Sequence, residues 1–224
     1  RSTLLGGSGN SHSNNTAIGA YAGTSITTGG SNFFGGYQAG NSTTSGTQNV
    51  FVGFSAGHYN STGVYNTMIG YSAGVTGTTG QGNFYAGHSA AHNATTGSNN
   101  VAVGRTALHR NQTGINNVAL GAYALQGTYQ QSHSNNTAIG YEAGKGVTTG
   151  GNNFFGGYRA GKAVTTGGDN VVLGVAGSNI TTGSNNIVAG QSAGLGIVTQ
   201  SANVMLGANA GDILAGGQNI GVGS

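Results

Sequence analysis

Three stretches carry the spacing of a hydrolase nucleophile elbow, G-x-S-x-G. They are Gly53-Phe54-Ser55-Ala56-Gly57, Gly70-Tyr71-Ser72-Ala73-Gly74 and Gly190-Gln191-Ser192-Ala193-Gly194. In an α/β-hydrolase such a serine sits between a strand and a helix, and an acid and a histidine complete it. This chain has only three acids, Glu142, Asp169 and Asp212. No helical pattern follows any of the three motifs, so catalysis is not expected there and the chain is read as non-enzymatic. The histidines are His12, His58, His88, His92, His109 and His133. His92 and His109 stand 17 residues apart and could stack, and stacked imidazoles can bind a metal. Thr24, Asn41, Val75, Lys145 and Lys162 occupy the corresponding places elsewhere, so no metal site and no cofactor is assigned. Calcium, which prefers carboxylates, is less suited still.

The elements that would hold these groups follow from composition. Of 224 residues, 47 are Gly, none is Pro, Cys or Trp, and 4% are charged. That much Gly disfavours a helical bundle. The missing Cys excludes disulfides and thiolate metal sites. Six Lys and Arg, scattered along the chain with a net charge of +3, form no basic stripe, so nucleic acid is not an expected partner. No apolar run is long enough to insert in a membrane. The chain opens at Arg1 without a Met, which reads as a fragment or a processed segment.

One phrase, Asn followed by three mostly apolar residues and Gly, recurs along the chain. Its Asn is Asn15, Asn32, Asn49, Asn66, Asn83, Asn100, Asn117, Asn136, Asn153, Asn170, Asn186, Asn203 and Asn219. The first six steps are 17 residues, followed by 19, 17, 17, 16, 17 and 16. With that Asn as position 0, position 4 is always Gly, position 7 nearly always Ala and position 8 mostly Gly, with Ala91, Leu108 and Leu125 as exceptions. A Thr-Thr-Gly turn commonly separates units, and Ser11–Gly19 recurs at Ser132–Gly140. Such a period without helical patterning specifies an all-β parallel β-solenoid, or β-roll, of about thirteen 17-residue coils. Residues 15–224 form this repeat domain and residues 1–14 an irregular lead-in. Each coil is expected to have two short strands and two Gly-rich turns, with the Asn side chains stacked in a ladder about 4.8 Å apart.

Positions 1, 2 and 3 are apolar in most coils, for example Val50-Phe51-Val52 and Val101-Ala102-Val103. Alternate strand residues point to opposite faces. One face fills the thin core of the coil, and the other needs a partner. Self-association along a common axis is the economical answer, and the expected assembly is a homotrimer. Position 1 also runs Thr, Phe, Val with a three-coil rhythm. At position 5, Tyr37, Phe54, Tyr71, Tyr141 and Tyr158 form either a stabilising aromatic ladder or a sugar- or surface-binding strip. Glu142 and Arg159 occupy the same position on consecutive coils and should form a cross-coil ion pair. The Thr-Thr-Gly turns raise ice binding as a remote alternative.

Asn15-Thr16-Ala17-Ile18-Gly19, Asn136-Thr137-Ala138-Ile139-Gly140 and Gly36-Tyr37-Gln38-Ala39-Gly40 resemble the repeats of phage tail fibres and related bacterial surface fibres. They are also similar to the β-roll heads of trimeric autotransporter adhesins. The resemblance implies a left-handed, homotrimeric, extracellular rod, on a cell surface or virion, that binds a host receptor or surface. Low charge and exposed Asn, Thr, Ser and Tyr suit contact with a cell-surface glycan. A structural filament assembling end to end is the alternative.

Overall fold

The structure is a computed structural model, and it describes residues 11, 13–128, 131–211 and 216–223. Of the expected lead-in, only residues 11, 13 and 14 fall among these, and His12 and Asp212 lie outside them.

The chain is an all-β, parallel β-solenoid. Thirteen three-residue strands, from β1 (Thr16–Ile18) to β13 (Ile220–Val222), form one sheet whose spatial order is the sequence order. Each strand pairs with the next in parallel, position for position: Thr16 with Phe33, Phe51 with Met68, Val101 with Val118. The irregular repeats do not disturb this register. The 19-residue step still aligns Val118 of β7 (Val118–Leu120) with Thr137 of β8 (Thr137–Ile139), and a 16-residue step aligns Val171 with Ile187. Length differences are therefore taken up in the turns. Twelve steps at about 4.8 Å give a rod about 58 Å long.

Among the described residues each coil has one strand, where the sequence suggested two. The backbone explains the difference. Around the third coil, Gln48, Ser55 and Gly57 all adopt left-handed conformations, at φ 57°, 52° and 57°, and Gly53 lies at φ 135°. These conformations recur at the same positions of most other coils. These reversals build the corner that follows each strand, while residues 58–64 hold no such conformation and form turns and bends rather than a second strand. Non-Gly residues rarely adopt positive φ. Asn is the least strained of them, and Asn14, Asn99, Asn116, Asn135, Asn152 and Asn185 all occupy the site just before the ladder Asn.

The Gly at position 4 has two reasons to be invariant. Its φ is near 130° in most coils, and a Cβ there would strike the next coil: at Gly87 it would lie 2.7 Å from Gly104 O.

The core is a column one coil wide. It holds position 2 (Phe34, Phe51, Met68, Tyr85, Ala102), the alanines of position 7, and positions 8 and 11. Their volumes trade against one another within a coil. A Phe or Met at position 2 goes with Gly at position 8: a Cβ on Gly57 would lie 2.6 Å from the Phe51 ring. Where position 2 is Ala102 or Ala119, position 8 is instead the buried Leu108 or Leu125. Where Ala138 is at position 2, Val147 at position 11 fills the space. This trade accounts for Leu108 and Leu125; Ala91, which shares its coil with Tyr85, is not explained by it.

Candidate functional surfaces

Four features run along the rod: the asparagine ladder, an outer apolar face, an aromatic column and a cluster of charges.

The ladder asparagines Asn32, Asn49, Asn66, Asn83, Asn100, Asn117, Asn136, Asn153, Asn170, Asn186 and Asn203 are buried. Asn49 shows the bonding. Its backbone N–H and its Nδ2 both donate to Asn32 Oδ1, at 2.9 and 3.0 Å, and Nδ2 also donates to Gly63 O at 2.8 Å. The side chain thus joins two coils and also closes its own coil across the turn. The ladder continues from Asn15 to Asn219. In the 19-residue coil, His133 stands in the place of the turn glycine, and its carbonyl accepts from Asn117 Nδ2 at 2.9 Å. The His133 ring is fully buried, and burial lowers its pKa to about 4, opposed by a hydrogen bond involving the Leu125 backbone.

The second apolar face lies where alternation places it. Position 2 points inward, while positions 1 and 3 lie on the outside of the sheet. Phe33, Val50, Val52, Ile69, Phe84, Val103, Ile139, Phe154, Leu173, Ile187 and Leu206 are all exposed. The three-coil rhythm keeps this face level. Phe33 pairs with Gly35 on one strand, Val50 with Val52, and Thr67 with Ile69. The Phe rings lie over the small residue: a Cβ on Gly35 would meet Phe33 Cε1 at 3.2 Å, and one on Gly156 would meet Phe154 Cε1 at 3.2 Å. The bulk of positions 1 and 3 together is therefore similar from coil to coil.

The aromatic column forms as the sequence suggested. Tyr37 stacks on Phe54 at 5.0 Å, Phe54 on Tyr71 at 5.1 Å, and Tyr141 on Tyr158 at 5.5 Å. His88 extends the first run, at 5.0 Å from Tyr71, and Tyr21 caps it edge-on at 5.8 Å. The rings face along the rod, so neighbouring coils cover their faces and leave their edges outward. That geometry favours the stabilising ladder and removes the open ring faces on which a sugar would stack.

His92 and His109 also stack, at 5.2 Å. Burial, then the nearby His92, Arg110 and His88, lower the pKa of His109 to about 4. Among the described residues no three His, Asp or Glu side chains converge as metal ligands would. Ser55 and Ser72 of the G-x-S-x-G motifs are buried at left-handed corners, where their backbone N–H groups donate to Tyr37 O and Phe54 O at 2.8 Å. The motif is thus accounted for by the corner it builds.

In the Thr-Thr-Gly turns the first hydroxyl donates to the next coil. Thr27 Oγ1 bonds Thr44 O at 3.1 Å, Thr95 Oγ1 bonds Gln112 O, and Thr148 Oγ1 bonds Thr165 O. The second Thr is exposed, as at Thr28, Thr79, Thr96, Thr149 and Thr166.

The expected Glu142–Arg159 pair is present, Arg159 Nε donating to Oε2 at 2.8 Å, but it belongs to a larger group. Lys145 Nζ reaches Oε1 at 2.7 Å and Lys162 Nζ reaches Oε2 at 3.2 Å. Glu142 is buried beneath its three cations. The Lys145 hydrogen bond above all, aided by Lys162 and Arg159 and opposed by desolvation, lowers its pKa to about 2. Lys145 and Arg105 also lie over the Tyr123 ring, at 5.1 and 4.8 Å from its centroid, and Arg159 lies over Tyr158 at 5.0 Å. Bases that are scattered in sequence are therefore gathered on one part of the rod. The signal was present in the repeat: Lys145 and Lys162 share position 9, and Glu142 and Arg159 share position 6.

Comparison with known proteins returns no match: no family model, no curated protein and no solved structure is significantly similar to the chain.

Proposed function

We propose that this chain is the rod of an extracellular attachment fibre, on a cell surface or virion, that works as a homotrimer without enzymatic activity. The observation that carries the reading is the outer face of the sheet. It is largely apolar, broken by Thr16, Thr67 and Thr137, level, and unpartnered along the described coils. At three residues wide and about 58 Å long it covers on the order of 600 Å², the upper end of what a monomer leaves exposed. Three copies around a common axis would bury this stripe on each chain. The rod would then present every other surface three times, so weak contacts to a host glycan or receptor gain through avidity.

Light scattering on a size-exclusion column tests this. The expected mass is three times that of the 21.9 kDa chain. Phe84→Asp with Ile139→Asp should give a folded monomer, because both side chains are exposed within a single chain. A wild-type monomer would overturn the trimer. Very large, polydisperse material would instead favour the end-to-end filament. Ice binding keeps one supporting observation, the exposed second Thr of the turns. Thermal hysteresis in a freezing assay would establish it, and its absence would remove it.

A further inference from the structure

We infer that the Glu142 cluster is a binding site for an acidic polysaccharide, one whose sugars carry carboxylate or sulfate groups. The inference rests on the attachment reading above and names its partner class.

The rod contains its own control. Residues 15–48 and 136–169 are two pairs of similar coils, offset by 121 positions and identical at 21 of 34: Asn15-Thr16-Ala17-Ile18-Gly19 recurs at Asn136–Gly140, and Asn32-Phe33-Phe34-Gly35-Gly36-Tyr37 at Asn153–Tyr158. Where the second pair of coils has Glu142, Lys145, Arg159 and Lys162, the first has Tyr21, Thr24, Gln38 and Asn41. The neutral set is also bonded, with Asn41 Nδ2 donating to Thr24 Oγ1 at 2.7 Å. The coil therefore does not need the charges at these positions.

The arrangement suits an anion. Glu142 is below the surface and holds three cationic heads together, while the Lys145, Arg159 and Lys162 side chains remain about a third or more exposed (32%, 43% and 40%). Arg159 contacts Glu142 through Nε, which leaves its terminal nitrogens for a bidentate partner. Counting Arg105 across the Tyr123 ring, four cations face one acid, a local excess of three positive charges.

Shape selects among anions. No cavity occurs among the described residues, so a small molecule would not be enclosed. An extended polymer lying along the rod would meet Lys145 and then Lys162 one coil on, about 4.8 Å apart. That step is close to the length of one pyranose ring in a chain. An extended acidic peptide would present its same-side carboxylates farther apart, at about 6.6 Å. Single-stranded nucleic acid needs open aromatic faces for its bases, and here Tyr141 and Tyr158 cover each other while Arg159 lies over Tyr158.

The test is titration calorimetry of the whole chain with polygalacturonate. Dextran serves as the uncharged polymer, and poly(dT) and phosphatidylserine vesicles as other anions. Polygalacturonate should bind and weaken as salt rises, and dextran should not bind. The variant Glu142→Tyr, Lys145→Thr, Arg159→Gln, Lys162→Asn carries the residues that coils one and two already accept. It should keep the wild-type circular dichroism and lose roughly tenfold or more in affinity. The reciprocal variant Tyr21→Glu, Thr24→Lys, Gln38→Arg, Asn41→Lys should add a second site, and it decides the matter should the first variant fail to fold. No binding to polygalacturonate, equal binding by the folded neutral variant, or tighter binding to poly(dT) or to vesicles would overturn the inference. Solution mass measured on the same samples separates the two proposals: a monomer that still binds removes only the trimer, and a trimer that does not bind removes only this site.

Discussion

Gly87 adopts φ 133° with Gly104 O close beside it, so Gly87→Ala meets both a backbone penalty and a collision. The expected cost is about 2–3 kcal/mol, read as a fall in the urea midpoint. Asn100→Ala should cost about 3 kcal/mol, because it strands the N–H of Asn117 and the carbonyl of Gly114 in a buried place and takes one of its acceptors from Asn117 Nδ2. Asn99→Gly, one residue earlier at an exposed left-handed position, should stay within about 1 kcal/mol of wild type. The ladder and the position-4 glycines could be read from their recurrence alone. The left-handed corners at Ser55, Ser72 and Arg159 could not, because their residue types vary and none is Gly. Two histidines set the acid response. His109 and His133 have pKa values lowered to about 4 in the folded rod, against 6.5 when unfolded. Between those values the unfolded chain binds more protons, so stability falls as pH drops from 6.5 towards 4. Glu142, held near 2, adds a further loss from about 4.5 downward. The midpoint of urea denaturation measured across this range should show the decline, and His133→Leu should flatten its upper part whatever it does to absolute stability.

At the level of the coil, the trade between positions 2 and 8 can be tested directly. Leu108→Gly empties the core of the sixth coil and should cost about 3 kcal/mol or more. Ala102→Phe alone overfills it, at about 1–3 kcal/mol. The double substitution rebuilds the pairing of Phe51 with Gly57 and should recover at least half of the summed loss. A double-mutant cycle showing simple additivity would mean that the two positions do not share space. Hydrophobic alternation set position 2 on one face and positions 1 and 3 on the other, both apolar, and the structure shows that position 2 is the core. It could not show why Phe33 and Phe154 are tolerated outside. That depends on a ring lying over Gly35 or Gly156 on the same face of the same strand, a side-chain orientation that alternation of faces does not specify. The second strand expected in each coil failed for a related reason. Polar turn residues such as Thr and Ser are common in strands too, and only the backbone angles separate the two uses.

Across the whole rod, register survives changes in coil length because the extra residues lie in the turns. The charged cluster shows the limit of reading by sequence distance: Arg105, Lys145 and Arg159 are far apart along the chain, yet Tyr123, Tyr158 and Glu142 link them on adjoining coils. The same architecture has a mechanical consequence. The hydrogen bonds between coils, such as Val50 N–H to Asn66 O at 2.8 Å, lie along the rod axis. Tension applied to the chain ends therefore loads the outermost coil first and peels it while the others stay closed. Each 17-residue coil released yields about 60 Å of extended chain in place of about 4.8 Å of rod. Under load, such a rod would lengthen more than tenfold in discrete, re-formable steps. Single-molecule pulling would record this as a regular sawtooth with a spacing of one coil, and a tether between moving surfaces would gain a means of absorbing shock.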